Sequence, residues 1–334
     1  MRKAPVVVLV AIAVAIIIGQ AVAYYVPDRQ CSIHTNVVDD TIEYTIDSEA
    51  PFQCTELHLV NTLDIKRFYV YYDPDYSVAS GDMSIPSAYY FLEKTFDMYS
   101  GVSVDVKDAN EIRTLIDSGS HDFGLIFISG ALPDTIHDGT LASPIMQWLN
   151  DGGYVIWSGD LFGRQIATRD GIIEVPDYQN AIALPLFGSD SAFNSSDEPE
   201  FGNERIHEGL TGPAGIYFAD TTYGVDESKL TLPHIVAGYT DGTYSSIAIM
   251  KISNGNLCHF GDYASAQESG YLAHVAVLGL TYSSETSSFN EGSVRGYGYT
   301  QRFTDSVDEK HVVIVHDIRW AKVWIYDRAE SRFV

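Results

Sequence analysis

Ser158, His259 and the carboxylates Asp160 and Asp262 are the residue types of a nucleophilic triad. A hydroxyl becomes a nucleophile when an imidazole takes its proton and a third group orients that imidazole. Ser158-Gly159-Asp160 follows one apolar run, and His259 lies inside another, Leu257-Cys258-His259-Phe260. The plainer reading is a turn closing a buried strand and a histidine satisfied within one. Asp73 and Asp75 flank Pro74. Paired carboxylates suit a cation or acid–base work, and Asp-Pro-Asp is equally ordinary turn chemistry. His207 and His234 have no ligand spacing, and the three cysteines form no CxxC, so the sequence implies no metal and no cofactor. Tyr72, Tyr76, Trp157 and Phe162 fall near the same strand ends. Aromatic faces there can stack on sugars or simply pack. Cys258, in its apolar strand, reads as a buried thiol rather than a nucleophile.

The elements that must position these residues alternate from residue 64 onward. Arg67–Tyr72, Val102–Val106, Phe123–Ile128 and Tyr154–Trp157 are short, apolar, β-rich runs. Between them, helical spacing covers Ile85–Tyr99, Asp108–Ser118 and Ser143–Leu149, the last with Ser as N-cap and Pro at the first helical position. Strands apolar throughout, alternating with amphipathic helices, predict a parallel sheet covered on both faces. Sites in such sheets form at the carboxyl ends of the strands. The loops 73–76, 129–138 and 158–164 are therefore the ones to watch. Residues 165–230 carry Pro, Gly, Asn and Asp clusters and read as an insertion. Ile235–Tyr239, Ser246–Ile252 and Asn256–Phe260 resume as strands, with tight turns at Asp241-Gly242 and Asn254-Gly255. A helix over 270–280 follows. Val294–Phe303, His311–His316 and Lys322–Asp327 are late strands without intervening helices.

Arg2 and Lys3 precede an uncharged run from Val6 to Val26. A basic flank before about 20 apolar residues is a membrane anchor, or an export signal cleaved near Ala21-Val22-Ala23. Either reading puts the body outside the cytoplasm, as a single-pass membrane protein or a secreted one. Cys31 and Cys54 bracket a predicted hairpin in which Ile42, Tyr44 and Ile46 alternate with Thr41, Glu43 and Thr45, turning at Asp47–Pro51. In an oxidising compartment the two cysteines are expected to pair. Asn194-Ser195-Ser196 is a glycosylation sequon. With 45 acidic against 20 basic residues, net charge −25, the chain lacks the basic footprint of a nucleic-acid binder. At 46% hydrophobic residues it can build a sizeable core.

Phe123–Gly130 (FGLIFISG) and Gly153–Gly159 (GYVIWSG), with a helix between them, resemble the class I glutamine amidotransferase-like fold. Arg205–Leu210 (RIHEGL) and Leu257–Asp262 (LCHFGD) are similar to segments of its non-catalytic, ThuA-like relatives. The resemblance covers roughly 64–282. It implies a flavodoxin-like parallel sheet. Outside it lie the anchor at 1–27, a hairpin segment at 28–63 and β-strands at 283–334, which could pair with the hairpin as a small antiparallel module. It also implies that Trp157 replaces the family's nucleophilic cysteine, and that no carboxylate stands at the family's distance after His259. The expectation is a catalytically degenerate domain acting in binding or assembly at the cell surface, toward a carbohydrate or protein partner. Its carboxyl-edge cleft would be lined by Asp73, Asp75, Ser129, Trp157, Ser158, Asp160 and His259. The alternatives are a serine hydrolase or peptidase using Ser158 and His259, and a structural subunit of a membrane or envelope complex.

Overall fold

The computed structural model describes residues 31–38, 41–59, 65–79, 85–97, 101–195, 204–206, 223–236, 238–240, 247–261, 272, 273, 276, 289–306, 310–317, 320–327 and 332–333. The expected anchor over 1–27 and Asp262 lie outside them. Among the described residues no helix is long and apolar enough to cross a membrane.

The elements in chain order begin with β1 (Cys31–Val38), β2 (Thr41–Leu59), β3 (Arg67–Tyr71), α1 (Ile85–Phe96), β4 (Ser103–Lys107), α2 (Ala109–Asp117) and β5 (Gly124–Phe127). Next come β6 (Leu132–Pro133), α3 (Pro144–Asp151), β7 (Tyr154–Ser158), β8 (Gln165–Ala167), β9 (Ile172–Glu174), α4 (Leu184–Phe187), β10 (Phe193–Ser195), β11 (Glu204–Ile206) and β12 (Tyr223–Val225). The chain continues with β13 (His234–Val236), β14 (Gly238–Thr240), β15 (Ile247–Ile252), β16 (Gly255–Phe260), β17 (Phe289–Ser306), β18 (Lys310–Asp317), β19 (Trp320–Asp327) and β20 (Arg332–Phe333).

The fold is mixed α/β around a parallel-rich sheet. Among the described residues its order is β13-β15-β16-β7-β5-β3-β4. The run from β4 to β16 is parallel, and β15 and β13 extend it antiparallel. Numbered by appearance, the parallel strands stand in the order 2-1-3-4-5. Because side chains alternate across a strand, each strand feeds two cores. One face gathers Val70, Ile126, Ile156, Cys258 and Phe260 under Ala88, Leu92 and Phe96 of α1 and the helical residues Leu272, Ala273 and Ala276. The other gathers Leu125, Phe127, Val155, Trp157 and Leu257 under Ile112 and Ile116 of α2 and Ile145 and Leu149 of α3. Both faces are covered, which is why β5 and β7 are buried along their whole length.

Helix α2 is set by a reciprocal capping box. The Asp108 side chain accepts from the amides of Asn110 and Glu111, and the Glu111 side chain accepts from the Asp108 amide. Asp108→Ala is expected to cost about 1 kcal/mol in chemical denaturation, and an unchanged midpoint would count against the cap. In α3, Ser143 holds the N-cap position without a side-chain cap bond, and its hydroxyl turns instead to Thr140 O at 2.7 Å. Gly255 opens β16 under α3. A Cβ there would lie 1.8 Å from Leu149 O, so only glycine lets the two backbones meet.

The second large sheet joins the two ends of the chain. β17 runs along one edge of β2, and β1 and β18 share the other. β19 and β20 continue outward from β18. The predicted alternation holds: Ile42, Tyr44 and Ile46 are buried, and Glu43 and Thr45 between them are half-buried. The predicted turn at Asp47–Pro51 does not. Those residues continue β2, and the chain reverses between Val38 and Thr41. At 48–51 the partner strand changes from β1 to β18, and β17 shifts register opposite. Such an irregularity accommodates Pro51, which has no amide to give a ladder. The register places Cys31 opposite Ser48. Cys31 is buried, and the Cys54 side chain lies outside the described ones. The predicted strand Ile235–Tyr239 is also divided: β13 pairs with β15, whereas β14 pairs with β11.

Candidate functional site

The parallel register decides how the triad candidates stand. Trp157 lies opposite His259, and Ser158 opposite Phe260. Alternation therefore sends Ser158 to the face of Ile156 and Phe260, and His259 to the face of Trp157 and Leu257. The sheet itself separates the hydroxyl from the imidazole. Both residues are fully buried. Burial pushes the His259 pKa down to about 3, with the backbone at Asp160 and at His259 itself opposing the shift. A ring that stays neutral so far into acid is a weak proton acceptor at neutral pH.

The turn after β7 is built from the same residues. A nucleophile elbow places the reactive residue on a strained turn so that its side chain projects outward. Here Gly159 takes that conformation, with φ 140°, and its amide donates to Phe260 O. Trp157 is buried, with its ring edge-to-face with Phe162 at 5.3 Å and its Nε1 donating to Asp160 O. Asp160 is 3% exposed. Its carboxylate accepts from the Leu161 amide and from Arg164 Nη1 at 3.0 Å. Burial raises its pKa, against those two partners. Ser129 is buried too and donates to Ala131 O. These five residues, Ser129, Trp157, Ser158, Asp160 and His259, are interior. The cleft lining expected of them reduces to Asp73 and Asp75, which lie on the turn after β3.

Asp73 accepts from the Asp75 amide at 3.0 Å and from the Ala109 amide at the start of α2 at 3.2 Å. It closes its own turn and ties it to the helix. Cys258 is sealed against Tyr154, and burial raises its pKa to about 12, so it is no thiolate. His234 contacts Leu232 O at 2.9 Å, and His207 lies outside the described residues. Among the described residues no three His, Cys, Asp or Glu side chains gather where a metal ion could be held. Asn194 lies in β10, paired with Gly224 of β12.

Two arrangements were not singled out from sequence. His137 is fully buried, with Nδ1 3.0 Å from Ser143 Oγ and Nε2 2.9 Å from Gly163 O. It pins the loop before α3 to the turn before β8, with carbonyls rather than a carboxylate as the outer partners. The second lies at the carboxyl ends of β3 and β5. The Tyr76 hydroxyl donates to Asp134 at 2.9 Å, and the Arg169 guanidinium stands 5.9 Å from the centre of the Tyr76 ring. The amides of Ser77 and Ala79 donate to Thr168 O and Ser129 O. Asp134 and Tyr76 fall inside loops that strand order marks as important. Arg169 carries no such signal.

No family model matches the chain, and no curated protein matches it significantly. Among solved structures it is similar to the exo-beta-1,4-mannosidase Op5Man5 from Opitutaceae bacterium strain TAV5, at 10% identity and a TM-score of 0.34, over 64% of this chain and 36% of that one. It is also similar to a catalytic mutant of Gan42B, a GH42 beta-galactosidase from G. stearothermophilus, at 13% identity and a TM-score of 0.36, over 82% of this chain and 38% of that one. The chain thus spans well under half the length of either enzyme.

Proposed function

We propose that this is an exported, membrane-anchored protein whose α/β domain has the flavodoxin-like, amidotransferase-like architecture without its chemistry, and that it serves binding or assembly at the cell surface toward a carbohydrate or protein partner. The basic-then-apolar N-terminus and the 2-1-3-4-5 order of the parallel strands support it. The observation that carries it is the elbow. A buried tryptophan stands where the fold's nucleophile would be, glycine takes the strained turn, and Ser158 and His259 lie on opposite faces of the sheet. An oxyanion pocket without a nucleophile typically leaves only ~10³–10⁴-fold catalysis over water.

The test is chemical. The purified chain should release no ammonia from glutamine, and Ser158 should take no label from a fluorophosphonate probe. Stoichiometric labelling of Ser158, lost in His259→Ala, would replace this reading with a serine hydrolase.

A further inference from the structure

Asn254-Gly255 is the one Asn-Gly pair in the sequence, and the fold places it one residue off the turn its letters predict. Ile252 stands opposite Gly255, so Ser253 and Asn254 form the two-residue loop between β15 and β16. Gly255 is held in β16 by its contact with α3, where a Cβ would lie 1.8 Å from Leu149 O and 2.6 Å from Gly153 O. The left-handed position then falls on Ser253, with φ 52°, a conformation that strains any residue with a Cβ. Asn254 is exposed at the tip, whereas Gly255 is buried. The backbone of Asn254 is tied on both sides. Its amide donates to Asn150 O at 3.1 Å, and its carbonyl accepts from Lys251 Nζ at 2.6 Å.

Asparagine is a thermolabile residue, because its side-chain carbonyl lies one ring closure from the next backbone nitrogen. A glycine in that next position leaves the nitrogen unshielded. The Gly255 nitrogen gives up its proton to hydroxide and attacks Asn254 Cγ. The bond from Cγ to the side-chain nitrogen breaks, ammonia leaves, and a succinimide remains. Water then opens the ring. Addition at Cγ yields aspartate; addition at the main-chain carbonyl yields isoaspartate, whose backbone runs through Cβ. In the closed hairpin Lys251 holds the Asn254 carbonyl, and with it the peptide that must rotate, so the reaction waits for the tip to open. Strain at Ser253 favours that opening. We propose that Asn254 is a self-modification site, gated by Lys251 and Ser253, and that its conversion loosens β16 from α3. The isoaspartyl form adds a carbon to the backbone of a two-residue loop, and Gly255 has no room beside Leu149 O to take up the extra length.

Peptide mapping by mass spectrometry tests it on the full chain, held at mildly alkaline pH either folded or in concentrated urea. The Asn254 peptide should gain the mass of an amide exchanged for a carboxyl and split into two chromatographic forms. In the folded chain Lys251→Met, which keeps the apolar stem and removes the latch, should speed conversion about fivefold, and Ser253→Gly should slow it about fivefold, each a step of about 1 kcal/mol. In urea the three rates should coincide. The converted protein should melt at a lower Tm than the unconverted fraction. Asn254 left intact in the folded chain after conversion in urea is complete, folded-state rates indifferent to both variants, or an unchanged Tm after conversion overturns the proposal.

Discussion

Trp157→Ala is expected to cost about 4 kcal/mol of folding stability, read as a lower denaturant midpoint at constant m-value. The indole sits in the middle of the central sheet, between β5 and β16, and none of it is exposed. It packs against Phe127 at 6.2 Å and Phe162 at 5.3 Å, and its N–H satisfies Asp160 O. Truncation removes the apolar burial, leaves a cavity between rigid strands and strips the carbonyl of its donor. Trp157→Phe fills most of that space and loses only the hydrogen bond and the second ring, so about 1–2 kcal/mol is expected. The size of the effect separates two roles. A tryptophan lining an open cleft can be removed within about 0.5 kcal/mol, as at other surface positions. A midpoint that barely moves in Trp157→Ala would return the residue to a ligand-facing role and reopen the elbow as a site.

The difference between these roles is hard to read from sequence because both write the same letters. Apolar strands ending in Ser-Gly or His-Phe predicted a buried parallel sheet, and the sheet is there. Whether Ser158 meets His259 depends on the offset between β7 and β16. A shift of one residue exchanges every side chain between faces, and nothing local to either strand records that offset. Local signals did better where the physics is local. The helical spacing over Asp108–Ser118 announced α2, and Ile42, Tyr44 and Ile46 announced a half-buried strand. The turn misplaced at Asp47–Pro51 shows the reverse case. Turn-forming residues there mark a change of partner inside one long strand, and that change depends on strands more than 200 residues later in the chain. Tyr71 is a sharper example. In Arg67–Tyr71 it is one more aromatic in a core strand. Only the fold brings the charges of Tyr76 and Asp134, 58 residues apart in the chain, to bear on its phenol.

Acid should destabilise the protein well before its carboxylates titrate, and His259→Gln should remove much of that sensitivity. In the unfolded chain His259 takes a proton near its ordinary pKa of 6.5, whereas in the fold it does so only near 3. Between those values the unfolded state binds the extra proton, so stability rises with pH. The contribution of the neutral, buried ring is complete above pH 6.5 and is lost as pH falls toward 3. At about 1.4 kcal/mol per pH unit, one such group removes about 3 kcal/mol between pH 6.5 and pH 4. His137 shifts in the same direction for the same cause and steepens the slope. Asp160, whose folded pKa is raised, pulls the other way over the carboxylate range. Urea unfolding at pH 7, 6, 5 and 4 should therefore give a steep acid limb for the wild type and a limb shallower by about one proton for His259→Gln. The comparison uses slopes, so a lower absolute stability of the variant does not spoil it. Parallel limbs would mean that the ring already accepts protons in the folded state near neutral pH, from solvent or from a neighbouring hydroxyl. That result would restore the property a general base needs, and with it the case for catalysis at the end of β16.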